Sequence, residues 1–146
     1  MRIAIGADHA GFEQKEKLIT HLKSQGHEII DVGTSNAADS VDYPDFAIAA
    51  CDEVLRGRAR RAILVCGTGI GMAIVANKLM GIRAANVTAA QFGALCREHN
   101  NANVITLSGR FVDYDTNVAI VDAFLSTEYG HGRHQQRLDK ITELER

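Results

Sequence analysis

At 146 residues, with 46% hydrophobic content and a formal net charge of −2, the chain has the size of one domain with a core of its own. So small a charge gives no electrostatic footprint for a nucleic-acid backbone, and no apolar run approaches the roughly 20 residues that span a bilayer. The three cysteines, Cys51, Cys66 and Cys96, are odd in number and widely spaced, which suits reduced thiols better than a disulfide framework or a zinc knuckle.

Met1 leads straight into a strand pattern, without a charged-then-apolar leader, so a cytoplasmic protein is expected. Arg2 to Asp8 is an apolar run ending in Gly-Ala-Asp, the profile of a buried parallel strand. Gly11 to Gln25 sets Leu18, Ile19 and Leu22 on one helical face, and Gly26 closes that helix. A second strand spans His27 to Val32, and after a polar loop Pro44 opens a helix to about Arg56. Arg61 to Cys66 is the third strand, followed by the turn Gly67-Thr-Gly-Ile-Gly71 and a helix to about Leu79. Ile82 to Val87 and Asn103 to Ser108 read as strands four and five, with a helix from Ala89 to about Glu98 between them. Helices near Asp115 to Ser126 and His134 to Glu145 complete the chain. This alternation predicts an α/β fold: a single domain over 1–146, with a doubly wound, Rossmann-like, five-stranded parallel sheet, flanking helices and a C-terminal helix. Ligands of such sheets sit beyond the strand carboxyl ends, where the strand order reverses. Asp8-His9, Cys66 to Gly71 and Gly109-Arg110 fall at three such ends.

The glycine turn fits neither common nucleotide-binding loop. A dinucleotide fingerprint needs glycines at relative positions one, three and six, but these stand at 67, 69 and 71, and a Walker loop needs a Gly-Lys-Ser/Thr that is absent. What remains is a strand-to-helix turn whose backbone N–H groups, with the helix dipole behind them, stabilise an anion. Such a place favours a thiolate, so Cys66 is a candidate base or nucleophile. A redox role lacks a resolving partner, since Gly69 stands where Cys-x-x-Cys would put one.

Across nearly the whole chain the sequence resembles the ribose-5-phosphate isomerase B family, which includes galactose-6-phosphate isomerase subunits. The matching pieces are Gly6-Ala-Asp8-His9-Ala-Gly11-Phe12, Asp42-Tyr43-Pro44, Cys66 through Met72 with Asn77-Lys78, Gly81-Ile-Arg83, His99-Asn100-Asn-Ala-Asn103, Gly109-Arg110 and Gly132-Arg133-His-Gln-Gln-Arg137. The resemblance implies a cofactor-independent, metal-free aldose–ketose isomerase acting on ribose 5-phosphate through a cis-enediolate. By analogy with the family, Cys66 is the base that moves the proton between C2 and C1. The amides of Gly67, Thr68, Gly69, Ile70 and Gly71, with Asn100, hold the oxyanion, and Thr68 helps move hydroxyl protons. His99 opens the sugar ring, while Asp8 and Tyr43 meet the sugar. His9, Arg110, Arg133 and Arg137 bind the phosphate. The family also implies a homodimer or tetramer, in which His99, Asn100 and Arg110 of one chain complete a pocket holding Asp8, His9, Cys66, Arg133 and Arg137 of another. Allose 6-phosphate, galactose 6-phosphate and erythrose 4-phosphate remain open as substrates, as does a phosphate- or nucleotide-binding module.

Each residue also has a plain structural reading. Asp8 is placed to cap the first helix, His99 to be a favourable cation at a helix end, and Arg133 with Arg137 to form a solvated helical face. Cys51 and Cys96 read as core thiols. His131 and His134 lack a third ligand at usable spacing and are expected to be solvent-exposed.

Overall fold

The apolar runs form five strands and the amphipathic stretches between them form helices, in the order β1 (Arg2–Ala7), α1 (Phe12–Ser24), β2 (Glu28–Asp31), α2 (Tyr43–Leu55), β3 (Arg61–Cys66), α3 (Ile70–Ala76), β4 (Ala84–Asn86), α4 (Ala90–Asn100), β5 (Val104–Ser108), α5 (Tyr114–Ser126) and α6 (Arg133–Glu143). The computed structural model describes residues 1–145. All five strands join one parallel sheet in the order β2-β1-β3-β5-β4. β1, β3 and β5, whose ends carry the three polar motifs, are therefore neighbours. The winding direction reverses between β1 and β3, which is where a doubly wound sheet holds its ligand.

Alternate residues of the central strands face opposite layers. Ile3, Ile5, Ile63, Val65, Ile105 and Leu107 pack with Leu18, Leu22 and Phe124 under α1, α4 and α5. Ala4, Ala62, Leu64 and Val104 pack with Ala47, Ala50, Cys51 and Met72 under α2 and α3. The second layer is built from small side chains because α2 lies close to the sheet: a Cβ on Gly6 would stand 3.1 Å from the Phe46 carbonyl oxygen.

The helix ends follow local chemistry. Gly26 takes a left-handed φ of 87° just after α1, as expected of a glycine that closes a helix. Pro44 sits in the first turn of α2, where a missing N–H costs little. α3 ends at Ala76, three residues short of the expected Leu79. The reason is tertiary: Asn77 accepts from the Ala84 N–H at 2.8 Å and donates to its carbonyl at 2.9 Å, drawing the chain out of the helix toward β4. Among the described residues no helix is long and apolar enough to cross a membrane.

Candidate active site

At the end of β1, Asp8 is 7% exposed and its Oδ1 accepts from the N–H groups of Ala10 at 3.0 Å and Gly11 at 3.1 Å. These bonds brace the turn that precedes α1 and do not cap it: the helix starts at Phe12 and no side chain caps its first turn, so the capping role expected of Asp8 is not found. Gly11 must be glycine, because a Cβ there would collide with the Val65 carbonyl of β3. His9 Nδ1 accepts from the Val41 N–H at 3.2 Å, which ties the loop before α2 to the site and leaves Nε2 as the proton-bearing nitrogen of the neutral ring.

One strand over, Cys66 is 5% exposed, and the Gly69 N–H donates to its Sγ at 3.1 Å. That contact needs the turn to double back, which Gly69 permits with a φ of 81°. A Cβ on Gly69 would stand 2.6 Å from Asn86 Oδ1 and 3.0 Å from the Leu107 carbonyl oxygen. The Ile70 N–H donates to Thr68 Oγ1 at 3.2 Å. Of the five amides expected to face an oxyanion, those of Gly69 and Ile70 are therefore engaged by the side chains of Cys66 and Thr68. The Tyr43 ring lies across the start of α3, so close that a Cβ on Gly71 would stand 2.6 Å from its Cζ.

Arg110 approaches from the end of β5. Its backbone N–H donates to the Gly67 carbonyl at 3.2 Å, and its Nη1 would lie 3.4 Å from a Cβ on Gly67. Ser108, which the sequence reading passed over, fixes this arrangement: its hydroxyl donates to the Gly67 carbonyl at 2.7 Å and accepts from the Phe111 N–H at 2.9 Å. A hydroxyl at the last position of a buried strand, directly before Gly109-Arg110, was the available signal. Beneath it, Asn117 donates to the Ser108 carbonyl at 3.0 Å and to Gln14 Oε1 at 2.7 Å. Asp8, His9, Tyr43, Cys66 to Gly71 and Arg110 thus gather at the carboxyl edge of one sheet.

His99 and Asn100 do not join them. They occupy the last turn of α4, and a helix that crosses between parallel strands runs opposite to them, so it delivers these residues to the amino end of β5. Cys66 lies at the other edge, beyond roughly 16 Å of strand at about 3.3 Å per residue. α6 docks beside His99: the Gly130 N–H donates to the Glu98 carbonyl at 2.9 Å, and the rings of His99 and His134 stack with centroids 4.6 Å apart. Arg133 and Arg137 on that helix consequently belong with His99, and Arg110 belongs with Cys66. This corrects the grouping expected from the sequence, which exchanged them. Both corrections follow from crossover direction and from where α6 packs. His134 is half-buried on His99, not the free surface residue expected; His131 is exposed.

A cleft of about 670 Å³ also lies at the amino edge, lined by Met80, Ile82, Arg83, Asn100, Ile141 and Leu144 among others. Burial pushes the Cys51 thiol up to about 12 and the Cys96 thiol up to about 11, so both are inert core groups. No group of three or more His, Cys, Asp or Glu side chains gathers as a metal site among the described residues.

Residues 3–141 match the family model described as Ribose/Galactose Isomerase. The chain is 42% identical to the ribose-5-phosphate isomerase B of Escherichia coli (strain K12), covering 99% of this chain and 96% of that one. It is 44% identical to the ribose-5-phosphate isomerase B of Mycobacterium tuberculosis (strain H37Rv), covering 100% and 91%. Among solved structures it superposes on the Clostridium thermocellum ribose-5-phosphate isomerase B with a TM-score of 0.97 at 45% identity, covering 99% and 97%. The Mycoplasma genitalium enzyme, solved with bound ribulose-5-phosphate, gives 0.95 at 42% identity, covering 99% and 95%. With the motifs at the sheet edge, the parallel fold and these matches in agreement, the chain belongs to the ribose/galactose isomerase family.

Proposed function

We propose that this protein interconverts D-ribose 5-phosphate and D-ribulose 5-phosphate at sites completed by two subunits. The observation that carries the chemistry is the Gly69 N–H donating to Cys66 Sγ at 3.1 Å, at the point where the sheet reverses its winding. A backbone donor aimed at sulfur fixes the place of the group that accepts the carbon-bound proton. In the forward direction Cys66 takes the proton from C2 and the electron pair of that bond forms the enediolate. The same thiol returns the proton to C1, while a proton shifts between the hydroxyl oxygens with the help of Thr68. Donors around the turn stabilise the developing negative charge. Asp8 and Tyr43 border the sugar, and His9, through its Nε2–H, and Arg110, through its guanidinium, offer donors for phosphate.

The rest of the machinery stands at the far edge of the same chain. A second subunit, docked so that its amino edge meets this carboxyl edge, brings His99 for ring opening, Asn100 for the oxyanion, and Arg133 with Arg137 for phosphate. By two-fold symmetry each such pair makes two pockets. Exposed Ile70 and Ile74 on α3, and Met80, Ile141 and Leu144 around the cleft, supply apolar surface for the association. The bound ribulose-5-phosphate of the Mycoplasma genitalium relative supports the choice of substrate.

The direct test is kcat/KM on ribose 5-phosphate, allose 6-phosphate, galactose 6-phosphate and erythrose 4-phosphate, measured in EDTA. Ribose 5-phosphate should be preferred and chelation should leave the rate unchanged. A higher value on another phosphate, or loss of activity in EDTA, contradicts the proposal.

A further inference from the structure

The end of α4 is held from every side. Left-handed Asn101, with φ 46°, turns the chain, while the Asn101 N–H donates to the Arg97 carbonyl and the Ala102 N–H to the Cys96 carbonyl, both at 3.0 Å. The Gly130 N–H takes the Glu98 carbonyl, and Arg83 Nε reaches the carbonyls of Asn100 at 3.1 Å and Asn101 at 3.0 Å. Helix ends ordinarily leave such carbonyls to solvent. Here those of Arg97, Glu98 and Asn100 are satisfied by the protein, so the backbone on both sides of His99 is held and rotation of its ring is the main remaining freedom.

That freedom is removed by the first turn of α6. The His134 ring lies over that of His99 at 4.6 Å with 21° between planes, and α6 is itself anchored by buried Leu138. The approach is close: a Cβ on Gly130 would stand 3.0 Å from the Glu98 carbonyl oxygen and 3.6 Å from His134 Cδ2. We propose that His134 is a positioning residue for His99, its stacked ring setting the plane in which the His99 imidazole meets the sugar ring of the substrate. The inference rests on the ring-opening role given to His99 above. The electrostatic surroundings agree with a division of labour. Partial burial, and then His99, Arg133 and Arg137, hold His134 below the usual imidazole range against the opposing pull of Glu98. Two imidazolium rings at this separation would repel, and a His134 held neutral beside His99 spares the stack that repulsion.

The test compares wild type, His99→Asn, His134→Ala and His134→Phe as full-length proteins. His134→Ala should lower kcat on ribose 5-phosphate about tenfold or more with KM changed less than about threefold. Exchange of the C1 proton of ribulose 5-phosphate, which needs no ring opening, should stay near wild type. His134→Phe restores a flat partner that cannot ionise, so it should recover most of kcat. In NMR spectra the ring-current shift of the His99 carbon-bound protons should persist in His134→Phe and vanish in His134→Ala. Wild-type kcat in His134→Ala, equal losses in the two variants, or a raised KM with unchanged kcat would overturn the proposal, the last by making His134 a phosphate ligand. The two readings fail separately: His99→Asn with no selective loss on the cyclic sugar removes the ring-opening role, whereas a selective loss there with none in His134→Ala removes positioning alone.

Discussion

Cys66 differs from the other two cysteines in its surroundings more than in its burial. All three are enclosed, but Cys66 Sγ receives a backbone N–H, whereas Cys96 Sγ donates to the Gly93 carbonyl and burial pushes Cys51 up to about 12 and Cys96 up to about 11. If Cys66 is the base proposed above, Cys66→Ala should abolish isomerisation, by about a thousandfold or more, while the fold survives the loss of one buried sulfur. Turnover within tenfold of wild type would end the assignment of Cys66 as the base. Iodoacetamide near pH 8 should inactivate the enzyme by labelling Cys66 first, and substrate should slow it; peptide mapping that finds label on Cys51 or Cys96 instead would contradict the contrast drawn here. His99→Asn should depress turnover of cyclic ribose 5-phosphate far more than exchange of the ribulose 5-phosphate C1 proton, and equal losses would move His99 into the enediolate step.

At the scale of elements, the Gly67–Gly71 turn depends on two glycines for opposite reasons. Gly69 has a left-handed φ and no room, so Gly69→Ala should lower Tm by about 5 °C or more, read by differential scanning calorimetry. Gly67 has room for a methyl group, which would meet the flexible Arg110 side chain at 3.4 Å and the Ala10 Cβ at 3.9 Å. Gly67→Ala should leave Tm within about 2 °C of wild type and raise KM by displacing the arginine, so a large drop in Tm would show that the turn is tighter than described. These turns were legible from the sequence because apolar strands and Gly-rich punctuation are local signals: β3 has the predicted bounds, and the polar ends of β1, β3 and β5 do converge. The end of α3 was not legible, because it is set by the pairing of Asn77 with the backbone of Ala84, a contact no local pattern announces. Ser108 was missed for a related reason, its hydroxyl acting across strands on Gly67 and not on its own neighbours in sequence.

Across the whole molecule, the residues proposed for the site fall into two groups on opposite edges of one sheet. Motifs named the members of both halves, but not which arginine went with which half. That assignment depends on the docking of α6 through Leu138, Gly130 and the His99–His134 stack, and on a crossover that carries His99 away from Cys66. Neither is written in residue spacing. With the groups so divided, no single chain should hold a working pocket, and subunit complementation tests this most directly. Cys66→Ala and His99→Asn, each inactive on ribose 5-phosphate, are mixed in equal amounts under conditions where labelled subunits are seen to exchange. A mixed dimer then holds one pocket with both lesions and one with neither. Random exchange should restore about a quarter of wild-type activity per total site, since half the dimers are mixed and one of their two pockets is intact. Proven exchange without any return of activity would put Cys66 and His99 in the same subunit's site and contradict the shared-pocket account.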